Sequence, residues 1–567
     1  MDGCRNSQIA LKLERLADLL DLEDANPHRV RAYRRAARTV AAWTEEIGDL
    51  LRRGEDLRAL PGVGDRLAAV IAQLARTGSL PELDRLERQR DRGLEELLAV
   101  PHVSPRRARV LRRSLGIQGV SDLREAARAG RLRRVPGFGR RTEQLLVEAL
   151  AEEAGARRHL RADLHVLAGA LRDAVRAAPG VTAVEPAGSY RRRRETVRDL
   201  RFVAAAARGS PAIGLFLGHE EVVEILSRGE AEATARLRSG VEAGLRLVPP
   251  ERFGAALLWD TGSRAHVEAL SARAESRGLT LGPEGLFRGG RPEPCAAEPE
   301  IYAALGLPYL EPELREGRGE TDLAQMPPLV TLADLRGDLH AHTTETDGRD
   351  SLERMAEGAA ARGLSYLAIT DHTQNLRITN GQDARRLARQ MEAIDRLNAK
   401  MRGLRLLKGA EVDILEDGRL DLDDGILGEL DVTVCSIHSA FRLPPEAQTA
   451  RLCRALENPS CRIIGHLTGR LLLRRRGYGV DLDAVLRTAK AAGKALEING
   501  QPDRLDLDDA AARRAREAGV RVAITSDAHS VREFEHLRHG VDQARRGWIA
   551  PSDVLNTRAV DDLLRIL

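Results

Sequence analysis

Two histidines one residue apart, His340 and His342, stand in the segment GDLHAHTTETDG (337–348). Side chains at positions i and i+2 of a β-strand point to the same side, so both imidazoles would face one spot. Neutral imidazoles followed closely by carboxylates are groups that bind metal ions. An isolated pair could equally be two solvated histidines at a strand end, so the rest of the chain has to separate these interpretations.

The chain after residue 336 alternates short apolar segments with helical patterns, which is typical of a parallel α/β barrel. The predicted strands are LSYLAIT, LRLLKGAEV, LDVTVCSIH, CRIIGHL, KALEING and VRVAITSDAH. Active groups gather at the carboxyl-terminal ends of such strands. Ten metal-binding or acidic side chains follow or end these strands: His340, His342, Asp347, Asp371, His372, Glu411, His438, His466, Asp527 and His529. Six of the chain's fourteen histidines are among them, so we predict that the histidine pair belongs to a polynuclear metal site.

Residues 336–550 resemble a PHP (polymerase and histidinol phosphatase) domain. The resemblance implies a distorted barrel that binds three divalent metals, manganese or zinc, and hydrolyses phosphoesters. The ligands that it implies are His340, His342, Asp347, His372, Glu411, His438, His466, Asp527 and His529. Thr346 replaces the family's usual serine before Asp–Gly. Glu411 is expected to bridge two metals, and Asp371 is expected to be a catalytic-site residue that orients a histidine.

Glycine turns between helical patterns recur in the first 150 residues, in the manner of helix-hairpin-helix motifs. The two clear copies are LPGVGDRLAAVIAQL (60–74) and RRVPGFGRRTEQLLVEAL (133–150), and AVPHVSPRRARVLRRSLG (99–116) is a degenerate copy. Such glycines let backbone N–H groups approach a phosphate, helped by the positive end of the following helix. The predicted DNA-binding residues are Gly62, Gly64, Gly137, Gly139, Arg140 and Arg141. The twelve arginines and four carboxylates of residues 101–150 also favour a polyanion, although plain helix turns with a solvated arginine-rich surface are the alternative.

The first 320 residues resemble family X DNA polymerases, and the whole chain has the arrangement of bacterial PolX. The segments that carry the resemblance are GSYRRRRETVRDLR (188–201), LRLVPPERFGAALLWDTGS (245–263) and ALGLPYLEPELREGRGE (304–320). The implied fold is multidomain, with helical helix-hairpin-helix domains, an α+β nucleotidyltransferase-like palm with a thumb, and a C-terminal α/β distorted barrel. The expected domains are a helical 8-kDa-like domain (1–85), a fingers-like domain (86–153), the palm (154–250), a thumb of loops and helices (251–320), a linker (321–335) and the PHP domain (336–567).

The polymerase chemistry of this family depends on three carboxylates that hold two metal ions. Asp199 keeps the first catalytic position, but Arg201 stands at the second and Gly244 at the third. An arginine beside one carboxylate predicts poor binding of Mg²⁺ or Mn²⁺ at the palm. Glu242, two residues before Gly244, is a candidate substitute because it would face the same side of the strand.

The nucleotide pocket and the lyase site also differ from the family pattern. Trp259 and Asp260 stand where the family has an aromatic pair, while Gly188, Ser189, Arg192, Thr261 and Gly262 remain available to bind a nucleotide phosphate. Val70 stands where the deoxyribose-phosphate lyase of this family has its lysine. No lysine lies between Lys12 and Lys400, so we predict that this lyase activity is absent.

These features predict a DNA-repair protein of the PolX type, with metal-dependent 3′→5′ exonuclease activity and scope for abasic-site endonuclease action. The polymerase-like half would bind gapped DNA, primer-template or 3′ ends, and deoxynucleotides remain a candidate ligand. One alternative is a manganese-dependent gap-filling polymerase with an exonuclease, and another is a small-molecule phosphatase of the histidinol-phosphate type. Five cysteines without a CxxC pair favour a reducing cytoplasm, and the lack of a run of 18 apolar residues predicts no membrane segment. We also expect a monomer that is associated with the nucleoid.

Overall fold

The chain forms two compact units, Met1–Ala156 and Arg157–Leu567. The structure, a computed structural model, describes residues 158–567 except 208 and 294. In the first unit it describes 26–43, 46–60, 63–88, 105–135 and several shorter pieces. Each unit is described by itself.

The first unit is helical in its described parts, as predicted. Its helices are α1 (Pro27–Ala42), α2 (Ile47–Arg52), α3 (Asp65–Thr77), α4 (Pro81–Arg88), α5 (Pro105–Leu115) and α6 (Val120–Arg128). Two separate apolar clusters support them, one that includes Ile71 and one that includes Leu111. Gly64 is the N-cap of α3, and Gly78, with φ +66°, ends this helix in the left-handed conformation that favours glycine.

The palm is built on a five-stranded mixed sheet with strand order β2-β4-β7-β6-β5. Its elements are β1 (His159–Leu160), α7 (His165–Arg176), β2 (Val181–Pro186), α8 (Gly188–Arg191), β3 (Thr196–Val197), β4 (Asp199–Ala206), α9 (Ala212–Leu217), β5 (Val222–Arg228), β6 (Glu232–Leu237) and β7 (Glu242–Val248). Strands β4 and β7 run parallel, and their register places Asp199 opposite Glu242 and Arg201 opposite Gly244. The residues at the three catalytic carboxylate positions therefore lie together where these two strands begin.

The thumb contains a small sheet that the sequence analysis did not predict. Helices α10 (Phe253–Thr261), α11 (Arg264–Glu275) and α12 (Glu298–Ala304) flank strands β8 (Leu279–Gly282), β9 (Gly285–Arg288) and β10 (Arg291–Pro292). These strands pair antiparallel in the order β10-β9-β8. The expectation of loops and helices alone was wrong because strands of two to four residues between glycines leave almost no alternating pattern.

The C-terminal domain is a barrel of parallel strands in sequential order, as predicted. The strands are β11 (Gly337–Asp338), β12 (Tyr366–Ile369), β13 (Arg405–Asp413), β14 (Val432–Ser436), β15 (Ile463–Ile464), β16 (Ala495–Asn499) and β17 (Val522–Thr525). A parallel bridge between Ala341 and Ala528 joins the chain after β11 to the chain after β17. This bridge nearly closes the sheet, so the carboxyl ends of all these strands surround one mouth.

Helices cover the outside of the barrel. They are α13 (Leu352–Ala361), α14 (Ala384–Asn398), α15 (Asp424–Leu427), α16 (Pro445–Glu457), α17 (Leu482–Ala492), α18 (Asp509–Ala518), α19 (Leu537–Arg546) and α20 (Val560–Ile566). Among the residues that the structure describes, no helix of the chain is both long and apolar enough to cross a membrane.

Apolar residues alternate between two cores along the barrel strands. On β12, Leu367 and Ile369 join the layer between sheet and helices, whereas Tyr366 and Ala368 join a second cluster. This second cluster also contains Leu563, which belongs to α20. The strand residues of this second cluster lie towards the amino-terminal ends of the strands. The cluster therefore fills that end of the barrel, and the polar side chains lie at the carboxyl-terminal end.

The segment predicted as a linker packs against the barrel. Val330 and Leu335 are buried in the barrel's main core. The backbone N–H of Val330 donates to the carbonyl of Ile549 at 3.0 Å. The palm and thumb are thus continuous with the barrel within the second unit.

Helix α19 of the barrel also packs against the palm and thumb through ion pairs. Arg545 contacts Glu313 at 2.7 Å and Arg546 contacts Glu316 at 3.0 Å. Asp542, on the same helix, accepts hydrogen bonds from Arg161 and Arg193 of the palm. The Arg193 contact joins the sequence segment GSYRRRRE to the barrel.

Candidate functional site

Six of the seven barrel strands contribute to one cluster at the mouth. β11 leads into His340 and His342, β12 into Asp371 and His372, β14 into His438, β15 into His466, and β17 into Asp527 and His529, while β13 carries Glu411 near its end. Parallel strands expose their carboxyl ends at one edge, so residues up to 189 positions apart in sequence meet there. The structure brings all nine sequence-predicted ligands together.

The first group of donor atoms surrounds Asp347. Its Oδ2 lies 3.4 Å from His372 Nε2 and 3.5 Å from His529 Nε2, and its Oδ1 lies 3.8 Å from His342 Nδ1. Two ligands that are each about 2.1 Å from one metal ion lie about 3.0–3.4 Å apart. These spacings suit a metal between the four side chains.

A second group consists of His340, His342 and Asp527, all buried. Asp527 Oδ1 lies 3.2 Å from His342 Nε2 and 3.7 Å from His340 Nε2. This group shares His342 with the group around Asp347, so the two candidate metal positions are adjacent.

Glu411 forms a third group with His372 and His438, and it also lies beside His340 of the second group. Its Oε1 lies 3.2 Å from His438 Nε2 and 2.9 Å from His466 Nε2. Its Oε2 lies 2.9 Å from His372 Nδ1 and 3.4 Å from His340 Nε2. Because its two oxygens face different histidines, Glu411 has the geometry of a bridging carboxylate.

Several donor atoms of this cluster lack a hydrogen-bond partner. Buried ring nitrogens of His340, His342 and His372, and Oδ1 of Asp347, make no hydrogen bond among the described residues. A buried polar atom without a partner costs about 1–3 kcal/mol, and the atoms here converge on shared points. Metal ions at these points would satisfy them, so the residues present fit such ions.

The pKa shifts of the side chains in this cluster also indicate that it attracts positive charge. Burial by itself lowers the pKa of His372, but the carboxylates of Glu411 and Asp347 raise it to about 10. Burial likewise opposes ionisation of Glu411, yet His372, His438 and His340 hold its pKa well below its usual range. Burial and the neighbouring His529 and His372 lower the pKa of His342 to about 4. The buried carboxylates therefore attract cations, and divalent metals would supply this charge while leaving the imidazoles neutral.

Two carboxylates that the sequence analysis missed orient the candidate ligands. Glu497, fully buried on β16, places Oε1 2.6 Å from His340 Nδ1, and Asp413 places Oδ1 2.8 Å from His438 Nδ1. A carboxylate on the far ring nitrogen fixes the tautomer and directs the other nitrogen into the site. Glu497 lies within the predicted strand KALEING, and Asp413 directly follows the predicted strand LRLLKGAEV, so an acidic residue in or next to an apolar strand was the available signal.

Asp371 has a different role from the one expected. Its carboxylate accepts hydrogen bonds from Thr343 N at 2.9 Å and Thr343 Oγ1 at 2.6 Å, and from Thr346 and Gln390. The prediction that it orients a histidine was wrong, because the loop 343–347 folds back over the end of β12. Thr343 and Thr346 of this loop occupy the carboxylate oxygens with hydrogen bonds. Asp371 instead holds the loop that carries Asp347.

The palm site differs from a two-metal centre in its charge. Arg201 Nε donates to Asp199 Oδ2 at 2.9 Å. The guanidinium also lies beside Gly244, where Arg201 Nη1 is 3.2 Å from the position of an added Cβ. Glu242 pairs with Arg236 at 3.2 Å. Each carboxylate at the start of β4 and β7 is thus already paired with an arginine.

Three of the five expected phosphate-binding residues of the palm border a cavity of about 680 Å³. Arg192, Trp259, Asp260, Thr261 and Gly262 are among its lining residues. Gly188 and Ser189 lie in α8, and Gly188 has a φ of +62°.

The charges of the palm arginines are largely balanced by carboxylates. Arg192 donates to the Thr261 carbonyl and contacts Glu316 at 3.1 Å. Arg191 donates to Glu298 through both terminal nitrogens, each at 2.7 Å. The pocket has the volume for a nucleotide, but its cationic groups are engaged within the protein.

The helix-hairpin-helix predictions are only partly within the described residues. Gly64 stands at the start of α3, and an added Cβ at either Gly64 or Gly139 would meet no atom within 4 Å. The backbone at both positions is therefore open to a ligand. The other predicted positions (Gly62, Gly137, Arg140 and Arg141) lie outside the described residues.

Four family models match the chain in this order. They are a helix-hairpin-helix domain (residues 4–80), a SAM-like helix-hairpin-helix tandem (94–152), the DNA polymerase beta thumb (256–316) and the PHP domain (338–501).

One relative is similar along almost the whole chain. The DNA polymerase/3′-5′ exonuclease PolX of Bacillus subtilis (strain 168) is 34% identical over 557 residues, which cover 97% of each chain. This chain belongs to the PolX family. The phosphatase relatives match only the PHP part of this PolX chain. Probable phosphatases of Thermoanaerobacter sp. (strain X514) and Syntrophotalea carbinolica are 31% and 29% identical over 231 and 232 residues, which cover 39% of the PolX chain and 89% and 90% of their own.

Proposed function

We propose that this PolX chain is a DNA-repair nuclease whose metal-dependent barrel removes nucleotides from DNA 3′ ends. The observation that carries the proposal is the cluster of nine candidate metal-binding side chains, most of them buried, in a chain that is similar to an exonuclease over 97% of its length. Abasic-site cleavage is a second reaction of the same type, because it also hydrolyses a phosphodiester.

The donor groups support three divalent ions. The groups centre on Asp347, Asp527 and Glu411, and each combines imidazole nitrogen with carboxylate oxygen. Mixed nitrogen and oxygen donors suit Mn²⁺ or Zn²⁺ better than Mg²⁺, which prefers oxygen. Clustered divalent ions, when bound, lower the pKa of a coordinated water and neutralise the phosphoryl and leaving-group oxygens.

The chain's own residues then set the geometry of this chemistry. Glu497 and Asp413 keep His340 and His438 in the tautomer that presents Nε2 to the site. Asp371 holds the loop of Asp347 against the end of β12 through Thr343. The buried walls of the cluster exclude bulk water, which strengthens each electrostatic contact with a phosphate.

The N-terminal half would deliver DNA to the barrel. The predicted turns around Gly62, Gly64, Gly137 and Gly139 would offer backbone N–H groups to phosphates, with Arg140 and Arg141 beside them. Gapped DNA and primer-template are the substrates that such tandem motifs, together with a polymerase-like palm, would bind. The palm would hold the 3′ end without extending it efficiently, because Arg201 neutralises Asp199.

A manganese-dependent gap-filling polymerase is the second candidate. The register that places Glu242 opposite Asp199 favours it, since these two carboxylates could share a metal if Arg236 released Glu242. A small-molecule phosphatase is less consistent with the chain, because the phosphatase relatives match only its PHP part and not the part that precedes it.

A labelled primer-template assay tests the proposal. The purified protein is incubated with 5′-labelled primer-template, with and without deoxynucleotides, in Mg²⁺, Mn²⁺ or Zn²⁺. We expect the primer to shorten in Mn²⁺ or Zn²⁺ and to lengthen little with nucleotides. A primer that keeps its length under all metal conditions would refute the nuclease, and strong extension would favour the polymerase candidate.

A further inference from the structure

The cavity of about 680 Å³ in the palm and thumb has walls from three helices. Arg192 follows α8, Trp259 and Asp260 lie near the end of α10, and Arg264 begins α11. Small-molecule sites typically have volumes of about 300–1,000 Å³. Trp259 and Asp260 stand where the family has an aromatic pair, so these two side chains give the cavity a different chemistry from the family pattern.

Asp260 presents a carboxylate to this cavity in a fixed orientation. Its side chain is 25% exposed, and its Oδ1 lies 3.2 Å from Arg246 Nη1. Arg246 is held in turn, because its Nη2 donates to the carbonyl of Pro283 at 3.2 Å. A carboxylate offers about four acceptor positions, so the pair with Arg246 leaves Asp260 able to accept hydrogen bonds from a ligand.

A carboxylate selects a ligand by the donors that the ligand brings. Ionised Asp260 only accepts hydrogen bonds, whereas an aromatic residue at this position would select by shape. The 2′- and 3′-hydroxyls of ribose are adjacent donors, and an acidic residue binds the ribose 2′-hydroxyl in many dinucleotide sites. Deoxyribose lacks the 2′-hydroxyl and leaves part of the buried acceptor unpaired, which costs affinity. Asp260 therefore favours ribose over deoxyribose.

Trp259 offers a flat surface beside this carboxylate. It lines the same cavity as Asp260 and packs against the apolar cluster of the thumb that includes Leu270. An aromatic ring held in this way is a stacking platform for a nucleobase, and such stacking tolerates every base. The adjacent positions of Trp259 and Asp260 match the adjacent base and sugar of a nucleotide.

Two arginines stand at the other side of Asp260 along the chain. A Cβ at Gly262 would lie 3.1 Å from Arg192 Nη1 and 3.5 Å from the backbone nitrogen of Arg264, so the absence of a side chain keeps this space open. Arg192 donates to Glu316 and to the carbonyl of Thr261, which uses two of its five N–H groups. Arg264 pairs with Glu268 at 2.7 Å, but its side chain is 92% exposed, and exposed pairs of this kind are weak. Both arginines have donors for a phosphate.

We propose that this cavity binds ribonucleoside 5′-phosphates, with the base on Trp259, the ribose hydroxyls on Asp260 and the phosphates beside Arg192 and Arg264. The ribonucleotide is a bound ligand and not a substrate for polymerisation, because Arg201 neutralises Asp199 and borders Gly244 where the family has metal-binding carboxylates. The inference goes beyond the nuclease function and does not depend on it, since binding alone is measured.

Calorimetric titration of the full-length protein with ATP, dATP and inorganic triphosphate tests the proposal. ATP and dATP differ only in the 2′-hydroxyl, and a hydrogen bond to a charged group changes affinity about tenfold or more. We expect the Kd for ATP to be about tenfold lower than that for dATP, with or without Mg²⁺. Inorganic triphosphate should bind more weakly than either nucleotide. Equal affinity for ATP and dATP would overturn the ribose assignment, and equal affinity for ATP and triphosphate would show an anion site only.

Substitutions of Asp260 provide the second part of the test. Asp260→Ala should raise the Kd for ATP about tenfold and leave that for dATP within about twofold, so that the preference disappears. Asp260→Asn, which keeps a neutral acceptor oxygen, should retain an intermediate preference. The matched control is Glu268→Ala, since Glu268 is another carboxylate at the same cavity and should leave the preference intact. A preference for ATP that survives Asp260→Ala would overturn the role of Asp260, and this comparison between two ligands is insensitive to a general loss of folded protein.

Discussion

Arg201 donates its Nε–H to the Asp199 carboxylate at 2.9 Å, while its Nη1 lies 3.2 Å from where a Cβ on Gly244 would stand. One arginine therefore replaces one metal ligand, neutralises a second and fills the space of a third. At about 4 Å and an effective dielectric near 20, its charge opposes a cation by about 4 kcal/mol per unit of metal charge. This side chain accounts for the expected loss of polymerase chemistry.

Restoring the carboxylates should restore nucleotide incorporation. In Arg201→Asp with Gly244→Asp, three carboxylates would meet at the start of β4 and β7, and removal of the guanidinium leaves room for the new side chain at 244. We expect measurable primer extension in Mn²⁺, against little or none in wild type. Adding Asp199→Ala to the double variant should abolish the gain. Robust synthesis by wild type that disappears in Asp199→Ala alone would contradict this account, and Glu242 would be the next residue to change.

Loss of a barrel ligand should remove nuclease activity without weakening DNA binding. His340→Ala or Asp527→Ala deletes a donor from the buried cluster, which lies in the other unit from the helix-hairpin-helix motifs. We expect degradation of labelled primer-template to fall below detection while the Kd for the same DNA changes less than about threefold. His219→Ala, a histidine of the palm, serves as the control. Undiminished degradation by both ligand variants would show that the barrel is not the nuclease.

Glu497→Gln should weaken metal binding although Glu497 is not among the candidate ligands. The amide oxygen carries no full negative charge, so it accepts a weaker hydrogen bond from His340 Nδ1–H than the carboxylate does. Loss of such a partner typically reduces metal affinity about 10–100-fold. Calorimetric titration with Mn²⁺ measures this directly, and excess metal should recover most of kcat. Glu517→Gln, at an exposed ion pair with Arg513, should behave like wild type. A variant with normal metal affinity but low kcat would instead place Glu497 in the reaction itself.

Glu298→Gln should destabilise the palm and thumb and flatten their response to acid. Burial opposes ionisation of Glu298, but Arg191 and Arg315 lower its pKa from 4.5 to about 2, which corresponds to about 3 kcal/mol of stability. A lowered pKa stabilises the fold above pH 4.5, and this contribution is lost as the pH falls toward 2. Urea unfolding at pH 6 and pH 3 should therefore show the largest difference between wild type and variant at pH 6. Glu268→Gln, in the exposed pair with Arg264, should change stability by less than about 0.5 kcal/mol.

DNA affinity should depend steeply on salt and on the first unit. Counterion release gives a log–log slope of about −0.9 per phosphate contacted on duplex DNA. The separate compactness of Arg157–Leu567 allows a chain without residues 1–156 to be compared with the full chain by fluorescence anisotropy on gapped DNA. We expect weaker binding and a shallower slope for the shorter chain. Equal affinity at all salt concentrations would place the DNA-binding surface in the second unit.

The sequence by itself determined the barrel and its candidate ligands. Apolar runs such as LDVTVCSIH identify buried parallel strands, and the residues that follow each run are placed at one edge by the topology alone. The arginine at position 201 could likewise be recognised from the sequence, because the metal-binding positions of a short motif have fixed spacing along one strand. Residue spacing within a strand is enough to identify such a substitution.

The tertiary structure decided which groups act on these residues. That Glu497 orients His340 across 157 positions, that Asp371 binds the loop of Asp347, and that Arg201 lies beside Gly244 depend on distances between separate strands. Hydrogen bonds and ion pairs act over a few ångströms, so only the folded chain specifies which residues, distant in sequence, come within that range.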